Sequence, residues 1–92
     1  ADRKELEIFN LRWQDLQSVE NRGKHPYFSA GIHPQDSLRI IDFASLLPEP
    51  GCLAVGECGL DKIIDLPLPD QLHAFEAQIN LSEQYELPLV LH

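Results

Sequence analysis

The stretch Cys52-Leu-Ala-Val-Gly-Glu-Cys-Gly-Leu-Asp61 (CLAVGECGLD) decides the fold class of this 92-residue chain. Cys52 to Gly56 is an almost continuous apolar run, which is typical of a strand buried on both faces in a parallel sheet. Glu57 follows this run directly, at a position where burial is still expected. Because buried carboxylates are usually paired or bound to a metal, Glu57 is the first candidate site residue.

Other apolar runs alternate with helical patterns on both sides of this strand. The runs at residues 6–11, 27–32 and 89–91 predict three further strands. Strands that alternate with helices predict an α/β fold in which parallel strands are joined by right-handed crossovers. The pattern leaves two architectures open, a doubly wound sheet and part of a closed barrel, since a complete (β/α)8 barrel takes about 250 residues.

Two of the predicted helices lie before the strand at Cys52. The first covers residues 14–19, and the second covers residues 37–47, with Asp36 or Ser37 as its cap. The apolar residues of the second recur at i, i+4 and i+7, the spacing of one helix face: Ile40, Ala44 and Leu47.

The third predicted helix covers residues 70–85, between the strand at Cys52 and the last strand. Asp70 is its expected cap. Leu72, Phe75 and Ile79 share one face of this helix, and Tyr85 lies near its end.

The chain carries a formal net charge of −8, from 15 acidic and 7 basic residues. Binding to a phosphate backbone is usually carried by Lys and Arg clusters, and the sequence has none. A cation held by carboxylates can still reverse the charge locally. No apolar run approaches the ~20 residues of a transmembrane helix, and the charged first residues contain no signal-peptide core. We therefore expect no membrane partner and a cytoplasmic location.

Cys52 and Cys58 are predicted to lie on one strand. Six residues at ~3.3 Å per residue separate them by ~20 Å, which is beyond the reach of a disulfide. We therefore expect both cysteines to be reduced and buried.

Three of the predicted strands end in a residue that can bind a metal: His33, Glu57 and His92. Because the carboxyl ends of parallel strands form the functional face of α/β folds, these side chains are expected at one rim. Imidazole and carboxylate groups are ligands for zinc and similar divalent ions. Two alternatives stay open. His33-Pro34 is also a common strand-end turn, and a histidine at the end of a chain, such as His92, can stand there through truncation alone.

Asp61 follows Glu57 by four residues. It is a candidate for orienting a metal ligand through a hydrogen bond. Gly59-Leu60-Asp61 equally fits an ordinary turn, in which the carboxylate bonds to the nearby backbone.

Three motifs in order, Gly31-Ile-His-Pro34, Val55-Gly-Glu-Cys-Gly-Leu-Asp61 and Leu87-Pro-Leu-Val-Leu-His92, resemble those of the TatD-related deoxyribonuclease family. The resemblance covers most of the chain from Tyr27 onward. The helix that carries Gln71, Phe75 and Gln78 is also similar to the family's.

The resemblance implies a metal-dependent hydrolase with an amidohydrolase-type barrel, which cleaves phosphodiester bonds in DNA with a metal-activated water. Glu57 resembles the family's metal-bridging carboxylate and His92 one of its metal-ligand histidines. His33 resembles a histidine at the active-site rim, and we assign it either to substrate binding or to the support of a metal ligand. The implied cofactors are divalent ions, with zinc, magnesium and manganese as the candidates, and the implied partner is DNA.

The chain departs from the family pattern at both ends. The family's opening His-x-His strand has no match in the first thirty residues, and its later His and Asp ligands would lie beyond His92. Residues 1–92 are therefore expected to be a single partial domain: the first half of a partial (β/α)8 TIM-type barrel, without its first strand and its C-terminal half. Such a chain is expected to be inactive by itself. Its exposed strand edges predict either self-association or folding only beside the missing half.

Two other functions remain open from the sequence. One is an amidohydrolase that acts on a small ester, amide or lactone, because metal-activated water serves those reactions as well. The other is an α/β interaction domain without catalytic activity.

Overall fold

The computed structural model describes residues 8–16, 25–39 and 41–92. Within these ranges lie four strands: β1 (Phe9–Asn10), β2 (Phe28–Ala30), β3 (Cys52–Cys58) and β4 (Leu89–Leu91). They form one sheet in the order β1-β2-β3-β4, and every neighbouring pair is parallel. Parallel pairing in sequential order confirms the α/β prediction and is consistent with part of a TIM-type barrel.

The described helices are α1 (Trp13–Leu16), which follows β1, and α2 (Leu68–Tyr85), which precedes β4. Residues 17–19 of the first predicted helix and residues 6 and 7 of the first predicted strand lie outside the described residues. Across the part of the chain that the structure describes, no helix has the length and apolar character needed to cross a membrane.

The prediction of a helix over residues 37–47 is wrong. The described residues of this range contain one short 3-10 turn, Ala44–Leu46, and another, Pro34–Asp36, lies directly before the range. Ile40 lies outside the described residues. Neither predicted cap is available to a helix: the Asp36 carboxylate pairs with Arg12, and the Ser37 hydroxyl donates to the Pro34 carbonyl at 2.6 Å. The turn Ala44–Leu46 instead supplies the core with Leu46 and, directly after it, Leu47.

Helix α2 begins two residues earlier than predicted, after Pro67. Pro69 explains the difference, since proline suits the first turn of a helix, where its missing N–H needs no partner. Asp70 therefore lies inside the first turn instead of capping the helix, where its negative charge still favours the helix dipole.

The most buried face of α2 is not the one that carries Leu72, Phe75 and Ile79. Leu72 is 43% exposed, whereas Gln71, Ala74 and Gln78 are buried. Apolar spacing alone favours the leucine side, but the two glutamine amides find hydrogen-bond partners in the interior. Helix α2 packs against β3, and Leu81 and Tyr85 near its end pack against the core.

The core lies against β2 and β3. Its buried members are Leu11, Leu16, Phe28, Ala30, Phe43, Leu46, Leu47, Cys52 and Val55. Cys52 and Cys58 are both buried and free, which confirms the expectation for the cysteines.

Gly56 allows β3 and β4 to approach closely beside Glu57. Its φ of 140° lies where L side chains are rarely found, and a Cβ there would collide with the Val90 carbonyl oxygen. The pairing of β3 with β4 shifts register between Gly56 and Cys58, and the Gly56–Glu57 peptide bond is cis. Glu57 therefore lies in an irregular stretch of β3, at its carboxyl end.

Candidate metal and substrate site

Three side chains converge at the carboxyl ends of neighbouring parallel strands. His33 follows β2, Glu57 is the penultimate residue of β3, and His92 follows β4. One potential ligand atom from each lies within 4.8 Å of those of the other two. Burial falls across the group: His33 is buried, Glu57 is half-buried and His92 is exposed. The three side chains therefore differ in burial, with His33 the most enclosed.

The Glu57 carboxylate on β3 is oriented by Asn10 on β1, two strands away in the sheet. Its Oε2 accepts a hydrogen bond from Nδ2 of Asn10, the last residue of β1, at 3.3 Å. The Ser29 hydroxyl in turn donates to Asn10 Oδ1 at 2.6 Å and lies 3.0 Å from the Gly56 carbonyl oxygen. Asn10 and Ser29 were not predicted as part of the site. A polar residue at the end of β1 was the available clue for Asn10.

His92 is held between two carboxylates. Its Nε2 lies 2.9 Å from Asp61 Oδ2, and its Nδ1 lies 3.4 Å from Glu57 Oε1. The hydrogen bonds with Asp61 and, next, Glu57 raise the pKa of His92 above its ordinary value. The Asp61 carboxylate also accepts a hydrogen bond from the Ile63 backbone N–H at 3.0 Å. That bond and the one with His92 lower the pKa of Asp61.

Asp61 therefore makes both contacts that the sequence left open. One oxygen closes a local turn with Ile63 and the other contacts the His92 ring. When the His92 proton is on Nε2, toward Asp61, the lone pair of Nδ1 faces Glu57 Oε1. Two acceptors 3.4 Å apart repel each other unless a proton or a cation lies between them. The pair is thus arranged to hold positive charge.

His33 has a different hydrogen-bonding state. Its Nδ1 accepts a hydrogen bond from the Gln35 backbone N–H at 3.1 Å, so the proton of the neutral ring lies on Nε2. Burial, the positive charge of Arg12 and proximity to His92 lower the pKa of His33. The two imidazole rings meet edge to face, with centroids 4.5 Å apart. His33 is therefore a neutral hydrogen-bond donor beside the Glu57–His92 pair.

A salt bridge supports the His33 side of the site. Arg12 binds the buried Asp36 carboxylate with two nitrogens, Nε at 3.0 Å and Nη2 at 3.2 Å. Arg39 approaches the same carboxylate at 3.8 Å and stacks over the Trp13 ring. Arg12 and Asp36 were not predicted, because a contact between residues 24 apart leaves no local sequence pattern.

Comparison with known proteins gives one consistent result. The model of the family described as "TatD related DNase" matches residues 6–92. The 3'-5' ssDNA/RNA exonuclease TatD of Edwardsiella piscicida is 43% identical over 88 residues, which are 86% of this chain and 34% of that protein.

Two further exonucleases of the same name show similar coverage. That of Citrobacter rodentium is 34% identical over 86% of this chain and 32% of its own length. That of Escherichia coli K12 is 32% identical over 90% of this chain and 35% of its own length. The chain spans about a third of the length of the curated relatives it matches.

Proposed function

The chain belongs to the TatD related DNase family, and on this premise we propose that it forms part of a metal-dependent hydrolase that cleaves phosphodiester bonds in DNA. The observation that carries the proposal is the convergence of His33, Glu57 and His92 at the carboxyl ends of parallel strands. This rim is where α/β barrels place their catalytic groups.

We assign the metal-binding role to Glu57 and His92. Their facing atoms, Oε1 and Nδ1, are both electron-pair donors, and the half-buried carboxylate supplies negative charge. Imidazole favours zinc, while carboxylate suits magnesium and manganese as well, so this donor set fits all three ions. A divalent ion held there supplies Lewis-acid chemistry, which activates water and offsets the charge of a phosphate.

Asp61 fixes the ring of His92 for this role. A carboxylate that accepts the second N–H of a ligand histidine sets the tautomer and makes the other nitrogen a better donor. The 2.9 Å contact between Asp61 Oδ2 and His92 Nε2 has this form. Asp61 in turn is held by its bond to the Ile63 backbone.

His33 is proposed to bind the substrate. Its Nδ1 is engaged by the Gln35 N–H, so ligation through Nε2 would require moving the proton and losing that hydrogen bond. As a neutral donor through Nε2, His33 can instead bond to a non-bridging phosphate oxygen. Its lowered pKa keeps this state populated at neutral pH.

The acidic net charge of the chain bears on how a phosphate could be bound at this site. With a net charge of −8, attraction of a polyanion must come from local groups, not from the whole surface. A divalent ion at Glu57 and His92, with Arg12 near His33, would supply positive potential where a phosphate sits. The relatives compared above carry ssDNA/RNA exonuclease in their names, which supports a single-stranded nucleic acid as the substrate.

The test is hydrolysis of end-labelled single-stranded DNA by the full-length protein. Activity should disappear with a chelator and return on addition of Zn²⁺, Mg²⁺ or Mn²⁺. A panel of esters, amides and lactones tests the alternative amidohydrolase function under the same conditions. Turnover of a lactone or ester, without cleavage of DNA under any of the three metals, would refute the proposal.

A further inference from the structure

Helix α2 buries two glutamines, Gln71 and Gln78, whose exposed fractions are both 0%. They are seven residues apart, so they lie on one face of the helix at about 10.5 Å along its axis. Burying an amide is costly unless every polar atom finds a partner. An apolar side chain of similar size would fill the same space without that requirement. Their hydrogen bonds therefore indicate what the two amides do.

Gln71 holds the backbone of Asp61. Its Oε1 accepts from the Asp61 N–H at 2.8 Å, and its Nε2 donates to the Asp61 carbonyl at 3.1 Å. The same Nε2 donates to the Leu66 carbonyl at 2.9 Å. One side-chain amide thus engages both backbone groups of Asp61 and ties the far side of its loop to α2. Asp61 is the residue that contacts His92.

Gln78 makes the same pair of hydrogen bonds with the backbone of Ile32, the residue before His33. Its Oε1 accepts from the Ile32 N–H at 2.8 Å, and its Nε2 donates to the Ile32 carbonyl at 3.1 Å. A third bond runs to the Ala74 carbonyl at 3.0 Å. The fit is close, because a Cβ on Gly31 would lie 2.5 Å from Gln78 Oε1.

The two amides therefore act at opposite sides of one site. Each pairs with both backbone groups of a single residue in a segment outside α2. One of those residues contacts His92 and the other adjoins His33. Both glutamines belong to one continuous helix. The distance between them along α2 therefore fixes how far apart the backbone segments at Asp61 and Ile32 lie.

We propose that Gln71 and Gln78 are positioning residues of this site: Gln71 places Asp61, and through it His92, while Gln78 places His33. The catalytic meaning of this inference rests on the proposed function, whereas its structural content does not. Gln71 serves the metal-binding half of the site and Gln78 the substrate-binding half.

The test compares Gln71→Met with Gln78→Met, which keep the length of the side chain and remove its hydrogen bonds. Each is the matched control of the other, because both residues are fully buried, on one helix, with three hydrogen bonds. Nitrogen-15 NMR of the histidine rings reports the hydrogen-bonding state of each ring nitrogen. His25 and His73 serve as internal references, and Zn²⁺ and Mn²⁺ affinities are measured by calorimetry.

The two variants should have separate effects. Gln71→Met should change the ring nitrogen signals of His92 and weaken metal binding about tenfold, the low end for residues that orient a ligand. Gln78→Met should change the ring nitrogen signals of His33. The metal affinity should stay within about twofold of the wild type, because Gln78 orients no proposed metal ligand and loss of a residue that does costs about tenfold or more. Should Gln71→Met fail to fold, Gln71→Asn, whose amide is one methylene shorter, should give the same changes.

Two outcomes would overturn the inference: equal effects of both variants on the two rings, or loss of stability with unchanged ring signals. Either would show that the glutamines only stabilise the core. Wild-type protein that binds no metal would refute the proposed metal site alone, because the NMR comparison decides the positioning roles without metal.

Discussion

Replacing Glu57 with glutamine should separate metal binding from folding at this site. The carboxylate makes two contacts, with Asn10 Nδ2 at 3.3 Å and with His92 Nδ1 at 3.4 Å. A glutamine amide can meet both, with its carbonyl oxygen toward Asn10 and its NH₂ group toward the Nδ1 lone pair of His92. We expect the free energy of unfolding to change by less than about 1 kcal/mol, the usual scale of a partly exposed ion pair.

The effect of Glu57→Gln on metal affinity should be much larger. Mutation of residues that only orient a metal ligand already weakens binding by about 10- to 100-fold. Loss of the charged ligand itself should therefore weaken binding by at least about 100-fold, or about 2.8 kcal/mol. Metal-dependent hydrolysis should fall with it, because the amide keeps the shape of the carboxylate but not the charge that holds the cation.

In the full-length protein, calorimetric titration with Zn²⁺ and Mn²⁺ measures the affinity, and thermal unfolding followed by circular dichroism checks the fold. Glu76→Gln is the matched control, since it removes the same charge from an exposed position on α2. A well-folded Glu57→Gln protein with the metal affinity and turnover of the wild type would show that the metal binds elsewhere.

Burial raises the pKa of the Cys58 thiol from 9.0 to about 11, so the folded state keeps a proton that the unfolded state releases. Stability should therefore fall as the pH rises from about 9 to about 11, and Cys58→Ala should flatten this slope in urea unfolding. An unchanged slope would contradict the assignment. Asp36→Asn should cost about 1–2 kcal/mol, less than a fully buried pair because Arg12 and Arg39 are partly exposed. Chemical unfolding beside the exposed control Asp42→Asn measures that cost, and equal stability of the two variants would argue against it.

The sheet was predictable because its strands leave strong local patterns. The apolar run at residues 52–56 and the strand Leu89–Leu91 were predicted at or near their observed positions, and their parallel pairing followed from the intervening helix. Strand-end positions then placed three candidate residues on one rim, where the structure brings them together. Local periodicity and the geometry of parallel sheets were sufficient for this much.

What the sequence did not reveal depends on contacts between distant segments. The helix expected after Asp36 does not form, since Asp36 pairs with Arg12 and not with a helix N-terminus. The buried face of α2 was missed because hydrophobic spacing ignores buried amides, although Gln71 and Gln78 satisfy theirs on loop backbone. Such partners are decided by tertiary structure, which a local pattern does not contain.

The hydrogen bonds distinguish three side chains that the strand-end pattern alone treats alike. His33, Glu57 and His92 are equivalent as strand-end residues, yet their hydrogen bonds differ. The Gln35 N–H occupies His33 Nδ1, whereas Asp61 occupies His92 Nε2 and leaves Nδ1 toward Glu57. A zinc site takes about four ligands, so Glu57 and His92, the two proposed ligands, would not fill the coordination of such an ion. In the proposed function, His33 would act as a neutral hydrogen-bond donor beside that ion and would bind the same phosphate.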